Sequence, residues 1–257
     1  MKSTISIIFV FLFTTTILFS QVNVELLLYE EDKNGFYNSI TLGSDLDAGN
    51  SEDWTFTNDF RSDWIQDRFY TFFVSYFKYK EADGTVSTRK GHFHLRSILN
   101  YDKSVMPELF VQNNFDNGLN LSNRWLAGGG LRIGAIRVNS GNDSNKVLNV
   151  DIGVGAMYEY EDYRSPDRYI SRFIKSTNYI NLYTKLNENA DFQFTSYFQF
   201  SPIRILDRVF LSDAILEFKI FKHLSFSVNL HYRYDNEPPP GLKNYDLELI
   251  NGITFKF

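Results

Sequence analysis

Leu224-Ser225-Phe226-Ser227-Val228-Asn229-Leu230-His231-Tyr232-Arg233-Tyr234-Asp235 alternates without a break: every even position is apolar or aromatic and every odd one is polar. Successive side chains of a strand point to opposite faces. One face is therefore greasy, and the other carries His231, Arg233 and Asp235. A turn rich in Pro and Gly follows, Asn236 to Leu242. The next limb puts Tyr245, Leu247, Leu249, Ile253, Phe255 and Phe257 on one face and Asp246, Glu248, Thr254 and Lys256 on the other, with Ile250 and Asn251 as exceptions. Strands of about ten residues with this dyad period and aromatic ends are the signature of a transmembrane β-barrel. The expected fold is all-β: a single antiparallel up-and-down barrel.

The N-terminal stretch stands apart. Lys2 supplies a short positive region, Ile5 to Leu18 is an apolar run, and Ser20 offers a small residue for cleavage. Residues 1–20 read as a secretory signal peptide, the run being shorter than the roughly 20 residues of a spanning helix. Residues 21–35 are expected to form a short periplasmic segment, either an extra strand or a piece tucked against the barrel mouth. Residues 36–257 form the barrel. With 25 Phe and 16 Tyr, the chain has the aromatic content that an outer band and its girdles demand. It has no Cys, so no disulfide and no lipid-accepting thiol, and closure makes a staple unnecessary. A net charge of −5 argues against nucleic acid as a partner. The expected location is the outer membrane of a Gram-negative bacterium. The expected partners are outer-membrane lipid, the barrel-insertion machinery through the C-terminal Phe257, and small solutes or ions, with the chain acting as a monomer. No cofactor is expected.

About 12 strands can be marked from Phe36 onward. Phe36 to Asp47 comes first, with Ile40, Leu42 and Leu46 outward and Asp45 inward. Trp54 to Ser62 follows, with Asp59 and Arg61 inward. Phe69 to Tyr79 is aromatic on both faces, so its phase is ambiguous. The Lys80 to Ser87 loop contains an Asp83-Gly84 turn signal. Lys90 to Tyr101 is clear: Phe93, Leu95, Leu99 and Tyr101 outward, and Lys90, His92, His94 and Arg96 inward. Glu108 to Asp116 is weaker, and Leu126 to Val138 holds Gly128, Gly129, Gly130, Arg132 and Gly134. Val147 to Glu161 puts Asp151 and Glu159 inward. Tyr169 to Leu186, Asp191 to Ser201 and Val209 to Phe221 precede the closing hairpin, and the last places Asp213, Glu217 and Lys219 inward. Links after odd strands read as loops and several after even strands as tight turns, with Asn139 to Lys146 breaking that rule. A soluble sandwich or lipocalin-like barrel would bury the apolar face instead. Full charges in mid-strand, repeated along strands this long after a signal peptide, favour the membrane.

The stretch Arg233-Tyr234-Asp235-Asn236-Glu237-Pro238-Pro239-Pro240-Gly241-Leu242-Lys243-Asn244-Tyr245-Asp246 resembles the end of the salt-induced outer-membrane protein family (YdiY-like): an acidic turn with paired Pro, a Gly, and an Asp opening the last strand. Gly43 to Ser51 is similar to that family's first Gly-Asn turn, and Leu126 to Gly134 to its Gly-rich middle strand. The resemblance covers Phe36 to Phe257. It implies an outer-membrane barrel of unknown activity with a role in salt or envelope stress, and it supplies no catalytic residues.

The chemical candidates sit on the inward face. His92-x-His94 puts two imidazoles on one side of a strand, as a metal site requires, but a third ligand is missing locally. His231 faces inward on a strand far from theirs in order around the barrel. Lumen polarity explains the pair without a metal. Ser97 lies near His94 yet on the opposite face, and no Gly-x-Ser-x-Gly elbow occurs, so no catalysis is expected. The Gly128–Gly134 run lacks the Gly-Lys-Ser/Thr of a phosphate loop and reads as room for a neighbouring aromatic. The lumen-lining set is His92, His94, Arg96, Arg132, Asp151, Asp213, Glu217, His231 and Arg233. Unpaired charges in a low-dielectric wall are costly, so these groups are expected to pair and narrow the bore, with a passive small-solute channel as the alternative.

Overall fold

A computed structural model describes residues 34–47, 52–139, 147–164, 168–204, 207–238 and 243–256. The expectations for the signal peptide, for residues 21–33 and for Phe257 fall outside them. Twelve strands follow one another: β1 (Gly35–Asp47), β2 (Asp53–Gln66), β3 (Phe69–Ala82), β4 (Thr85–Leu99), β5 (Val105–Asp116), β6 (Leu121–Asn139), β7 (Val147–Tyr163), β8 (Tyr169–Asn187), β9 (Ala190–Phe200), β10 (Arg208–Phe221), β11 (Leu224–Asp235) and β12 (Tyr245–Lys256). Each pairs antiparallel with its sequence neighbours, and β12 meets β1 to close an up-and-down barrel. The short links dictate that order, because only antiparallel neighbours can be joined by two-residue turns.

The alternation becomes two surfaces. Leu42, Leu46, Phe93, Leu109, Val154, Ile174, Leu249 and Ile253 are exposed on the outside. Polar and charged residues of the opposite parity are buried within. On β2, Trp54 stacks with Phe56 and lies against Tyr79 near one end. Trp64 stacks on Phe36 near the other, ring centroids 5.7 Å apart. Ten residues separate the two tryptophans. At about 3.3 Å rise and a tilt of about 40° they stand roughly 25 Å apart along the barrel axis, the height of a lipid-facing band between aromatic girdles.

Structure and sequence differ at strand ends. The Lys80 to Ser87 link is no loop: β3 and β4 run on to the two-residue turn Asp83-Gly84, where both residues have positive φ (49° and 71°). That is the turn whose twist matches paired strands. Tyr101, expected outward, lies past the end of β4. Asn100 has φ 54° and breaks the alternation, and Tyr101 turns back to meet Tyr70 edge-on at 6.2 Å. The ambiguous third strand resolves with Tyr70 and Phe72 inward, in a buried cluster with Ile65, Ile98 and Met106. This apolar cluster lies at the end of the barrel where β1 begins and β12 ends. Parity of charge could not reveal it, because β3 is aromatic on both faces.

Candidate functional site in the barrel interior

The interior divides into a filled half and a hollow half. In the filled half, Glu108 of β5 is the centre. It is 6% exposed, and its carboxylate receives Arg96 Nη1 at 3.4 Å, Arg132 Nη2 at 3.4 Å and the Tyr179 hydroxyl at 3.0 Å. Arg132 reaches on to Asp151 at 3.7 Å, and Arg137 also bonds Asp151. The Arg96 and Arg132 guanidinium groups both lie over the Tyr179 ring, at 5.8 and 5.5 Å. Nearer the loop end, Arg124 pairs with Glu159 and Glu161, and Lys175 pairs with Glu159 at 2.8 Å and Asp207 at 3.1 Å. On the neighbouring wall Arg61 grips Asp63 at 2.7 Å and lies over Phe72 at 4.4 Å. Buried ions persist only when paired and hydrogen-bonded, and each of these charges has its counterpart.

Glycine makes this filling possible. A Cβ on Gly153 would collide with the Tyr179 ring, and one on Gly128 would come within 2.7 Å of Phe110 and Met157. The rings can lie flat on the wall because β6 and β7 have no side chain there, as small residues in barrel strands allow.

His94 is held on all sides. Phe72 and Phe110 sandwich its ring at 5.9 and 5.8 Å. Arg96 Nε donates to its Nε2 at 3.3 Å, so Nδ1 carries the proton and donates to Gln112 Oε1 at 2.8 Å. Gln112 passes the chain to Asn114. With the Nε2 lone pair committed to Arg96, this imidazole is a structural link. His92 stacks on Tyr76 at 5.7 Å instead, and neither ring nitrogen has a hydrogen-bond partner among the described residues.

The hollow half is a cavity of about 510 Å³ between β1–β5 and β10–β12. Asp59, His92, Asp213, Glu217, Asn229 and His231 line it. His231 bonds Asp213. Sequence order had put His231 far from His92, yet both face this one cavity: strands distant around the wall meet across a narrow bore. Arg233 pairs with Asp235 at 2.6 Å and lies 3.7 Å from Asp246. The expected partnerships thus changed in detail, with Arg132 meeting Asp151 but Arg96 meeting Glu108. Ser97 bonds Thr71 at 2.9 Å, away from His94.

Glu108, Arg124, Lys175 and Tyr179 were missed. β5 mixes Met106, Glu108, Phe110 and Gln112 on its inward parity, which blurred the alternation. Tyr179 shares the inward parity of Thr177 and Asn181, and an aromatic at a polar parity was the available signal.

Residues 40–257 match the family described as "Protein of unknown function, DUF481". Among curated proteins, no sequence matches the chain significantly. Among solved structures, the fold is similar to the NanC porin (TM-score 0.52, 10% identity, covering 86% of this chain and 100% of that one). It also matches the translocator domain of the autotransporter NalP from Neisseria meningitidis (0.46, 9% identity, 89% and 90% covered) and the transport unit of the autotransporter AIDA-I from Escherichia coli (0.46, 12% identity, 91% and 94%).

Proposed function

This chain belongs to the DUF481 family, and as a barrel of that family we propose that it is a monomeric integral protein of a Gram-negative outer membrane whose charged, narrow lumen restricts passive flow. On this reading it serves the envelope structurally under salt or osmotic stress, catalyses nothing, and is inserted by the barrel-assembly machinery through its last strand. The observation that carries the reading is the ion-pair plug on Glu108, which joins β4, β5, β6 and β8 along one side of the bore. On this reading the paired arginines, lying against aromatic rings, narrow the polar path along the bore and hinder a hydrated solute. The hollow half favours a second reading, a small-solute channel, because a cavity of about 510 Å³ would admit one if both ends opened. Planar-bilayer recording separates the two. The plugged barrel gives low conductance, and a large, stable, ohmic conductance from unmodified protein would put the channel in front. Membrane residence is checked by heat-modifiable migration on gels and resistance to carbonate extraction. Recovery of the mature chain in the soluble periplasmic fraction would refute it.

A further inference from the structure

The ladder that closes the barrel is unlike the others. Among the described residues three pairs join β1 to β12: Ser39–Lys256, Ile40–Phe255 and Thr41–Thr254. Each of the other neighbouring strands is joined by nine or more. A Thr41–Thr254 hydroxyl bond of 3.0 Å marks the fork. Beyond it, Leu42 to Asp47 pairs with β2 and Tyr245 to Ile253 with β11, but neither stretch pairs with the other. Gly43 and Gly252 would be the second pair past the fork if the ladder continued. Both have inward parity, so neither adds a side chain of its own to the interior at the split.

Open sheet edges are not stable against hydrocarbon, because their N–H and C=O groups have no partner there. Yet the outward residues flanking the split, Leu42, Leu46, Leu249 and Ile253, are exposed and apolar. The polar partner must come from inside. The cavity of about 510 Å³ reaches both edges, being lined by Leu42 and Gly43 on one and Gly252 and Ile253 on the other. The parted length of β12 is tied across the bore instead, with Glu248 lying 3.6 Å from Lys78 and 4.0 Å from Lys90.

The cavity wall has unmet polar demand beside the fork. Thr41, Asp59, Tyr76 and His92 are register neighbours on β1 to β4. The Tyr76 hydroxyl, both His92 ring nitrogens and Asn229 Oδ1 are buried without a hydrogen-bond partner among the described residues, and His92 is only 3% exposed. Buried polar groups are otherwise nearly always bonded. The carboxylates Asp59 and Glu217 also face this space; Asp213 is bonded by His231, Arg61 is engaged by Asp63 and Lys90 lies beside Glu248. The balance favours hydrogen-bond donors and positive charge over a phosphate.

We propose that the split between β1 and β12 is a lateral entry, through which the cavity takes the amine-bearing head of one membrane amphiphile while its acyl chain stays in the bilayer beside Leu42 and Ile253. A head of that kind meets the carboxylates and the orphaned polar atoms together, and the volume suits a small-molecule site. An added polypeptide strand would pair the edges but leave the cavity groups unanswered. The site lies outside the Glu108 plug and does not depend on it.

The chain has no Cys, so Ser44→Cys with Asn251→Cys introduces a single pair, at positions that would be directly opposite if the ladder ran on. In liposomes this variant should resist disulfide formation under mild oxidation and be bridged by a long bis-maleimide. Fast, complete disulfide formation means a zipped seam and overturns the proposal, as does bridging to a second polypeptide. Spin-labelled stearylamine and spin-labelled stearic acid then probe the site in the wild type. The amine should show a motionally restricted population at least threefold larger than the acid, lost in Asp59→Asn. Equal restriction of both probes, preference for the acid, or no change in Asp59→Asn overturns it. Heat-modifiable migration confirms that each variant is folded, and Glu217→Gln serves if Asp59→Asn fails to insert.

Discussion

Glu108→Leu is the most informative single change, because two guanidinium groups and a phenol share that carboxylate. At 3.4 Å and an effective dielectric near 20, each Arg–Glu pair carries roughly 5 kcal/mol of raw attraction, most of it offset by desolvation. Arg132 keeps Asp151 at 3.7 Å, so Arg96, whose Nη1 loses the Glu108 carboxylate, is the charge most affected by the substitution. Removing one partner of a buried ion pair costs about 3–5 kcal/mol. The Tyr179 hydroxyl also loses its acceptor, but such losses within one network do not add, and the expected total stays near 3–5 kcal/mol. Arg96→Met together with Glu108→Leu removes both sides of the pair and should cost at least about 2 kcal/mol less than the sum of the single changes, the mark of coupled neighbours. Equilibrium urea unfolding in vesicles, followed by fluorescence of Trp54, Trp64 and Trp125, measures each value. A cost below about 1 kcal/mol for Glu108→Leu alone, or a cycle additive to within about 0.5 kcal/mol, would refute the plug as an energetic unit.

Further outcomes are expected. Val228→Arg, on the lipid face of β11, should cost about 2–4 kcal/mol in the same assay, whereas Asn229→Arg, facing the cavity, should be mild; equal tolerance would overturn the facing of that strand. Cutting Arg96, Arg132 and Arg233 to Ala together should raise single-barrel conductance well above the wild type, and unchanged conductance would show that these groups do not set the constriction. Gly153→Ala must displace the Tyr179 ring and should destabilise by about 1–3 kcal/mol, as overpacking does; a neutral result would mean the ring moves freely. Removing Phe257 should slow assembly into the outer membrane, read as accumulation of unfolded chain, and unaltered kinetics would sever the link between the last residue and insertion.

The fold was legible in the sequence because the bilayer imposes one rule on every strand: apolar outward and polar inward, with a period of two. Val147 to Glu161 and Leu224 to Asp235 obey it almost without exception, and twelve strands emerged where about 12 were expected. Where the rule weakens, legibility fails. β3 carries aromatics on both faces, and only the packing of Tyr70 and Phe72 against Ile65 and Ile98 shows which face is inside. β5 mixes apolar and charged residues inward because it faces both the apolar cluster and the plug, so Glu108 went unread.

Alternation along a strand depends on local geometry alone, so the sequence by itself determined the strands, their antiparallel order, and the in–out phase wherever polar and apolar residues alternate, which leaves out β3. Contacts across the bore depend on barrel width, strand tilt and register, which no single strand encodes. Only the tertiary structure therefore decided that Arg96 meets Glu108, that His231 and His92 face one cavity, and that β12 leaves β1 after three pairs.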